Sequence, residues 1–216
     1  MIKAIIFDLD GVITDTAEYH YLGWKRMAKE AGLDFDRNIN ENLRGVSRQK
    51  SLEIILEHNG KTISTELFSE LMSKKNTYYK MYLDDITEKD YLPGIKDFIE
   101  KVRERGIKTA IASASKNAAK VIKNLNAMGL FDYIADGNSV INTKPAPDLF
   151  LFAAEKLAEK PSESVVFEDA QAGIEAAING GFLCVGIGPQ ERVGKANIRY
   201  ETTKDINLNQ ILSMNG

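Results

Sequence analysis

An apolar run that ends in paired acids constrains this chain more than any other stretch. Ile2-Lys3-Ala4-Ile5-Ile6-Phe7 passes directly into Asp8-Leu9-Asp10-Gly11. A short, continuous, β-branched run suits a strand buried on both faces of a parallel sheet, and open α/β sheets bind ligands beyond the carboxyl ends of their strands. If the backbone stays extended, the i, i+2 spacing sends both carboxylates to the same side. Two like charges so placed raise one of the two pKa values unless a cation lies between them. Carboxylate oxygens with a few waters suit Mg²⁺, which is the expected cofactor. Taken alone, Asp-x-Asp-Gly is equally a polar turn closing a core strand, so the choice rests on what the other strand ends carry.

With 216 residues, 44% of them hydrophobic, the chain can bury a substantial core. A net charge of -3 provides no bulk basic field. Nucleic acid and anionic membrane are therefore not expected as partners, and any phosphate site must be local. The opening apolar run is too short for a signal or membrane segment, and no later run is long enough. The single cysteine, Cys184, lies within Phe182-Leu183-Cys184-Val185, which excludes a disulfide within the chain and predicts a buried structural thiol. A cytoplasmic protein that works as a monomer is expected.

Helical periodicity follows the first strand. Ala17, Tyr21, Trp24, Ala28 and Ala31 recur at helical spacing before a stop at Gly32, and two further helical patterns span Ser51 to His58 and Glu66 to Tyr82. No strand pattern interrupts them, which is the signature of an all-helical cap inserted after strand one. From Tyr91 the register changes to alternating helices and short apolar runs: Ile107 to Ala112, Tyr133 to Ala135, Ser164 to Phe167 and Phe182 to Ile187. Such alternation predicts an α/β fold, a doubly wound parallel, Rossmann-like core sheet. The expected division is a catalytic core of residues 1–14 with 88–216 and a cap of residues 15–87.

Parallel strands bring their carboxyl ends to one edge, so Asp8 and Asp10, the run Ser113-Ala114-Ser115-Lys116-Asn117, and Glu168-Asp169 meet there, with Lys144 on an intervening loop. Each alone has a plain explanation as a helix cap or a solvated charge. Together they suit phosphoryl transfer. Asp8, beside Asp10, begins an oxygen shell for Mg²⁺ that Glu168 and Asp169 complete, while Ser113 and Lys144 hold phosphoryl oxygens. A carboxylate beside the metal can act as nucleophile and form an acyl phosphate. That role falls to Asp8, and proton transfer at the sugar or alcohol oxygen to Asp10. No nucleotide-binding loop is evident.

These motifs resemble the haloacid dehalogenase superfamily. Within it, Asp8 through His20, Gly45-Val46-Ser47-Arg48 with Ser51, Ser113 through Asn117, Lys144-Pro145-Ala146-Pro147-Asp148 and Glu168 through Ile174 are similar to the β-phosphoglucomutase family. The resemblance covers almost the whole chain. It implies Mg²⁺-dependent interconversion of β-D-glucose 1-phosphate and glucose 6-phosphate through β-glucose 1,6-bisphosphate, so the partner is a small sugar phosphate. It also implies that Arg48 grips the phosphate that is not reacting, supported by Ser115, Lys116 and Asn117, and that Thr16 belongs to the hinge that moves Asp10. By the same resemblance His20 and the pair Lys75-Asn76 sense substrate, and Trp24 covers the sugar. Arg44 stands where better known members carry lysine, and Ala170 where serine is frequent, so substrate tuning is the property these departures affect. A phosphatase for a small sugar phosphate uses the same aspartyl chemistry and is the alternative.

Overall fold

The computed structural model describes residues 1–214. Its framework is a parallel sheet in the order β3-β2-β1-β4-β5-β6, built from β1 (Ala4–Phe7), β2 (Lys108–Ala112), β3 (Tyr133–Ala135), β4 (Ser164–Glu168), β5 (Leu183–Ile187) and β6 (Ile198–Tyr200). Between β1 and β2 lie α1 (Ala17–Ala31), α2 (Arg37–Glu41), α3 (Arg48–His58) and α4 (Thr65–Leu83). The sheet is flanked by α5 (Ile95–Glu104), α6 (Ala118–Asn124), α7 (Asp148–Leu157), α8 (Gln171–Asn179), α9 (Gln190–Val193) and α10 (Leu208–Leu212).

β1 is central: Phe7 pairs with Ile111 of β2 on one side and Phe167 of β4 on the other. Ile5 and Phe7 enter a cluster with Phe98, Phe131 and Phe167 on one face of the sheet, and Ala4 and Ile6 join Phe150, Val166 and Cys184 on the other. Two-sided burial is the reason the run is apolar at every position, since each large side chain gains about 1.5–3 kcal/mol on leaving water. Phe7 meets Phe98 and Phe131 edge-on at 6.3 and 6.2 Å, the arrangement that aligns ring quadrupoles favourably. Cys184 is buried in the core.

The cap is all helical and has a separate apolar cluster in which Trp24 and Met27 of α1 meet Leu52 and Ile55 of α3 and Leu71 of α4. Gly32 ends α1 at φ 64°, returning its N–H to carbonyls of the last turn, a conformation that costs glycine nothing. Ser47 and Ser64 start α3 and α4 by accepting the N–H of Lys50 and Leu67. The two crossings between cap and sheet run side by side: the Leu92 N–H donates to the Ile13 carbonyl at 2.8 Å and the Thr14 hydroxyl to the Asp90 carbonyl at 2.6 Å.

The short elements α2, α9, β6 and α10 were not legible beforehand. β6 is a short edge strand with Arg199 exposed at its centre, and α2 buries only Ile39, so neither carries the apolar periodicity that marks an element. Among the described residues no helix is long and apolar enough to cross a membrane.

Candidate active site

The strand order runs one way from β1 to β3 and the other way from β4 to β6. The carboxyl ends of β1 and β4 therefore flank the switch point at which α/β sheets bind ligands. Asp8, 6% exposed, extends β1 with its N–H on the Phe167 carbonyl at 2.9 Å, which sets it beside the fully buried Glu168. Lys144 lies beneath both. Its ammonium donates to Asp8 Oδ1, to Glu168 Oε1 at 2.6 Å and to the Ala112 carbonyl at 3.1 Å. Burial works to lower the Lys144 pKa, but the charges of Asp8 and Glu168 outweigh it and hold the ammonium above its ordinary range.

Glu168 Oε2 accepts the N–H groups of Asp169 and Ala170 at 2.8 and 2.9 Å, at the start of α8. A Cβ on Gly173 would lie 1.8 Å from Glu168 Oε1, so the helix can approach this carboxylate only through a glycine. The turn after β1 closes on Asp169 in the same manner: Gly11 has φ 78°, and a Cβ there would sit 2.4 Å from the Asp169 carboxyl carbon. Burial, reinforced by Glu168 and Asp8, pushes the Asp169 pKa well up, against the pull of two guanidinium groups. Arg44 from the cap reaches Asp169 Oδ2 at 2.8 Å and Arg192 from the core reaches it at 3.5 Å.

The four acids expected to surround Mg²⁺ differ in what already holds them. Both oxygens of Glu168 are engaged by Lys144 and backbone N–H groups, and the Asp10 carboxyl turns to the cap, where it accepts from Thr16 and lies 3.9 Å from His20 Nε2. Among the described residues no three His, Cys, Asp or Glu side chains are grouped to hold a metal. Lys144 pairs with Glu168 from below, and Gly11, at φ 78°, turns the chain directly after Asp10. Asp8, Asp10 and Asp169 line the cleft with Glu168 behind them, and a crowded set of hard carboxylate oxygens fits Mg²⁺.

Asp10 occupies a different environment. Burial and the neighbouring Asp8 push its pKa up to about 7, opposed by the Thr16 hydrogen bond. Thr16, fully buried, also contacts the Tyr79 hydroxyl at 3.1 Å, and Tyr79 packs against His20 with ring centroids 4.0 Å apart and planes tilted by 42°. Lys75, 1% exposed, meets His20 Nδ1 at 2.9 Å and lies 5.0 Å from the Trp24 ring. Burial lowers the pKa of Lys75 and of His20 well below their ordinary values. A neutral His20 that accepts from Lys75 at Nδ1 carries its proton on Nε2, the nitrogen that faces Asp10.

Between these groups is a cleft of about 290 Å³ lined by both cap and core. Asp8, Asp10 and Asp169 lie on its core side with Ser113, Ala114, Ser115, Lys116 and Asn117; His20, Trp24, Arg44, Gly45, Val46, Arg48, Ser51 and Lys75 face it from the cap. Ser113 at the end of β2 accepts the Ser115 N–H at 3.1 Å, and Ser115 accepts the Asn117 N–H at 3.3 Å, which curls the loop round the end of the strand. Asn117 donates to Asn76 of α4 at 2.9 Å, tying cap to core. Arg48, half-buried at the start of α3, makes no ion pair among the described residues, and burial lowers its pKa. Thr16, Lys144 and Glu168 stand behind the cleft wall rather than on it.

Tyr79 and Arg192 are site residues that sequence reasoning missed. Tyr79 had a signal, because it follows Lys75 by one helical turn on the same face of α4. Arg192 had none.

Residues 2–181 match the family described as haloacid dehalogenase-like hydrolase. The chain is 42% identical over 209 residues to a β-phosphoglucomutase of Bacillus subtilis, covering 95% of this chain and 92% of that protein. It is 30% identical over 183 residues to a phosphorylated carbohydrates phosphatase of Thermotoga maritima, covering 83% and 82%. The crystal structure of a β-phosphoglucomutase from Clostridium difficile superposes with a TM-score of 0.94 at 42% identity, over 98% of this chain and 96% of that one. A match over most of the chain, with the acids, hydroxyl and lysine gathered at one switch point, establishes that this protein belongs to the haloacid dehalogenase-like hydrolase family.

Proposed function

We propose that the chain is a β-phosphoglucomutase, which interconverts β-D-glucose 1-phosphate and β-D-glucose 6-phosphate through an aspartyl phosphate and β-glucose 1,6-bisphosphate. The observation that carries this reading is the second cationic pole. Arg48 faces, from the cap and without an acidic partner among the described residues, the same cleft whose floor holds Asp8. A bidentate guanidinium suits a phosphate, and a mutase, unlike a simple hydrolase, must hold one phosphate while the other reacts. The relatives named above add weight.

In this reading residues 1–14 and 88–216 are the catalytic core and residues 15–87 the cap. Asp8 receives and returns the phosphoryl group. Its Oδ1 is held by Lys144 and its Oδ2 by the Asp10 N–H at 2.9 Å, so it is oriented before substrate arrives. Asp8 and Asp169 would hold Mg²⁺, which when bound offsets the negative charge that gathers on the transferring oxygens. When the phosphorylated enzyme gives its PO₃ group to the C6 hydroxyl, Asp10 takes the hydroxyl proton. After the bisphosphate has turned end for end, Asp8 takes the phosphoryl group from C1 and Asp10 returns the proton to that oxygen. A pKa near 7 lets one carboxyl serve as base and acid at neutral pH, a contribution of about 10²–10⁴-fold. Ser113 and the loop through Asn117 hold phosphoryl oxygens, while cap closure excludes the water that would hydrolyse the aspartyl phosphate.

The test is a coupled assay with α- and β-glucose 1-phosphate, Mg²⁺ and a trace of the bisphosphate, with free phosphate measured in parallel. Glucose 6-phosphate formed from the β anomer faster than phosphate is the expected result. Phosphate as the main product would transfer the chain to the sugar phosphate phosphatases.

A further inference from the structure

The acids at the rim are matched by cations from the protein itself. Asp8, Glu168 and Asp169 are faced by Lys144, Arg44 and Arg192, so each of these acids has a cationic partner from the chain itself. A divalent cation held by Asp8 and Asp169 adds two positive charges beside acids that already have cationic partners. The added charge repels all three cations, strongly so at low dielectric, and favours the departure of whichever is freest to move. The three are not equally free to move. Lys144 has no exposed side-chain surface and holds three acceptors. Arg192 belongs to the core, in α9 directly after β5, so it stays beside Asp169 wherever the cap goes. Arg44 alone is carried by the cap. It reaches across 125 positions of sequence to Asp169, with Glu41 3.3 Å from its Nε on the cap side. The neighbouring backbone shares that contact, since a Cβ on Gly45 would stand 3.0 Å from the Cβ of Ala170.

We propose that Arg44 is a cap-borne latch on Asp169 which a divalent cation displaces, so that loading the cation releases this edge of the cap from the core. By linkage the effect is reciprocal: whatever holds the cap down through Arg44 weakens the cation. A phosphate dianion arriving beside the cation offsets the added charge, and the edge can close again with both present. The latch thus favours closure when cation and phosphate are both bound or both missing, and disfavours it with cation alone. This rests on the assignment of the cation to Asp8 and Asp169 and is independent of which sugar reacts.

The experiment titrates Mn²⁺ into the full chain, follows free Mn²⁺ by electron paramagnetic resonance, and measures the radius of gyration by small-angle scattering with and without Mg²⁺, no sugar phosphate being present. The parent is expected to expand when the cation is added. Arg44→Gln should bind Mn²⁺ about tenfold more tightly, within the usual range of coupling between sites, and should be expanded without the cation and insensitive to it. Arg192→Gln removes the same charge from the core side, so it should bind more tightly yet keep the cation-dependent expansion. Arg44→Lys, which preserves charge and fold, should fall between parent and Arg44→Gln. Tighter binding by Arg44→Gln with no cation-dependent change in the parent's radius would reduce Arg44 to a charge effect and overturn the latch. Unchanged binding in Arg44→Gln would overturn it as well. Absence of Mn²⁺ binding in every variant would remove the cation assignment and the latch together.

Discussion

Asp10 carries a stability cost that goes with its proposed acid–base role, and Asp10→Asn measures it. Burial beside Asp8 lifts its pKa from the ordinary 3.8 to about 7. The folded chain therefore binds more protons than the unfolded chain between those two values, and its stability falls as pH rises through that window. A rise of about three pH units, at about 1.4 kcal/mol each, sets the cost near 4 kcal/mol once the pH exceeds the folded value. Asparagine keeps the acceptor that Thr16 uses and has nothing to ionise. The variant and its parent should be similar in stability near pH 4 and should diverge toward pH 8, where the variant is favoured by up to about 4 kcal/mol. For a chain of this size that corresponds to roughly 10 °C in melting temperature. The assay is a pair of thermal melts across this range in chelator, since a divalent cation would itself offset the Asp8 charge. Interconversion of sugar phosphates should be lost in the variant at every pH. A stability gap that stays constant from pH 4 to pH 8 would refute the raised pKa and with it the acid–base role.

Two further outcomes follow from the same geometry. Arg48→Ala should raise the KM for β-glucose 1-phosphate by about 10²-fold, the loss expected of a charged hydrogen-bonding group of about 2–3 kcal/mol, and should leave hydrolysis of acetyl phosphate within a few fold; equal loss of both activities would remove it from the distal phosphate. Gly173→Ala places a methyl where Glu168 lies, 1.8 Å from Oε1, and must displace either α8 or the carboxylate that Lys144 holds. A loss of about 2–4 kcal/mol in chemical denaturation is expected, in the range of a disturbed buried charge pair, whereas a change below 0.5 kcal/mol would mean that the helix shifts at little cost.

Much of this protein could be read along the chain. The alternation of apolar runs and helical periodicities implied a parallel sheet with an inserted helical cap, because buried strands and amphipathic helices leave their periods in the sequence. Paired acids directly after the first strand, hydroxyls after the second and acids after the fourth implied one reactive edge, because parallel strands share an end. β6 and α2 left no such trace, having too few buried positions.

What tertiary packing decided was which charges meet. Lys144 could be assigned to a phosphate from its loop, but its buried place between Asp8 and Glu168, 136 positions from the former, exists only because the sheet sets β1 beside β4. That placement engages one oxygen of Glu168 from below. Likewise Arg44 and Arg192 meet at one oxygen of Asp169 from opposite units of the fold, and Tyr79 reaches Asp10 through Thr16. Spacing along a chain dictates which residues share a face of one element. Electrostatic partnership depends on distances across elements, and these are set only when the cap has packed on the sheet.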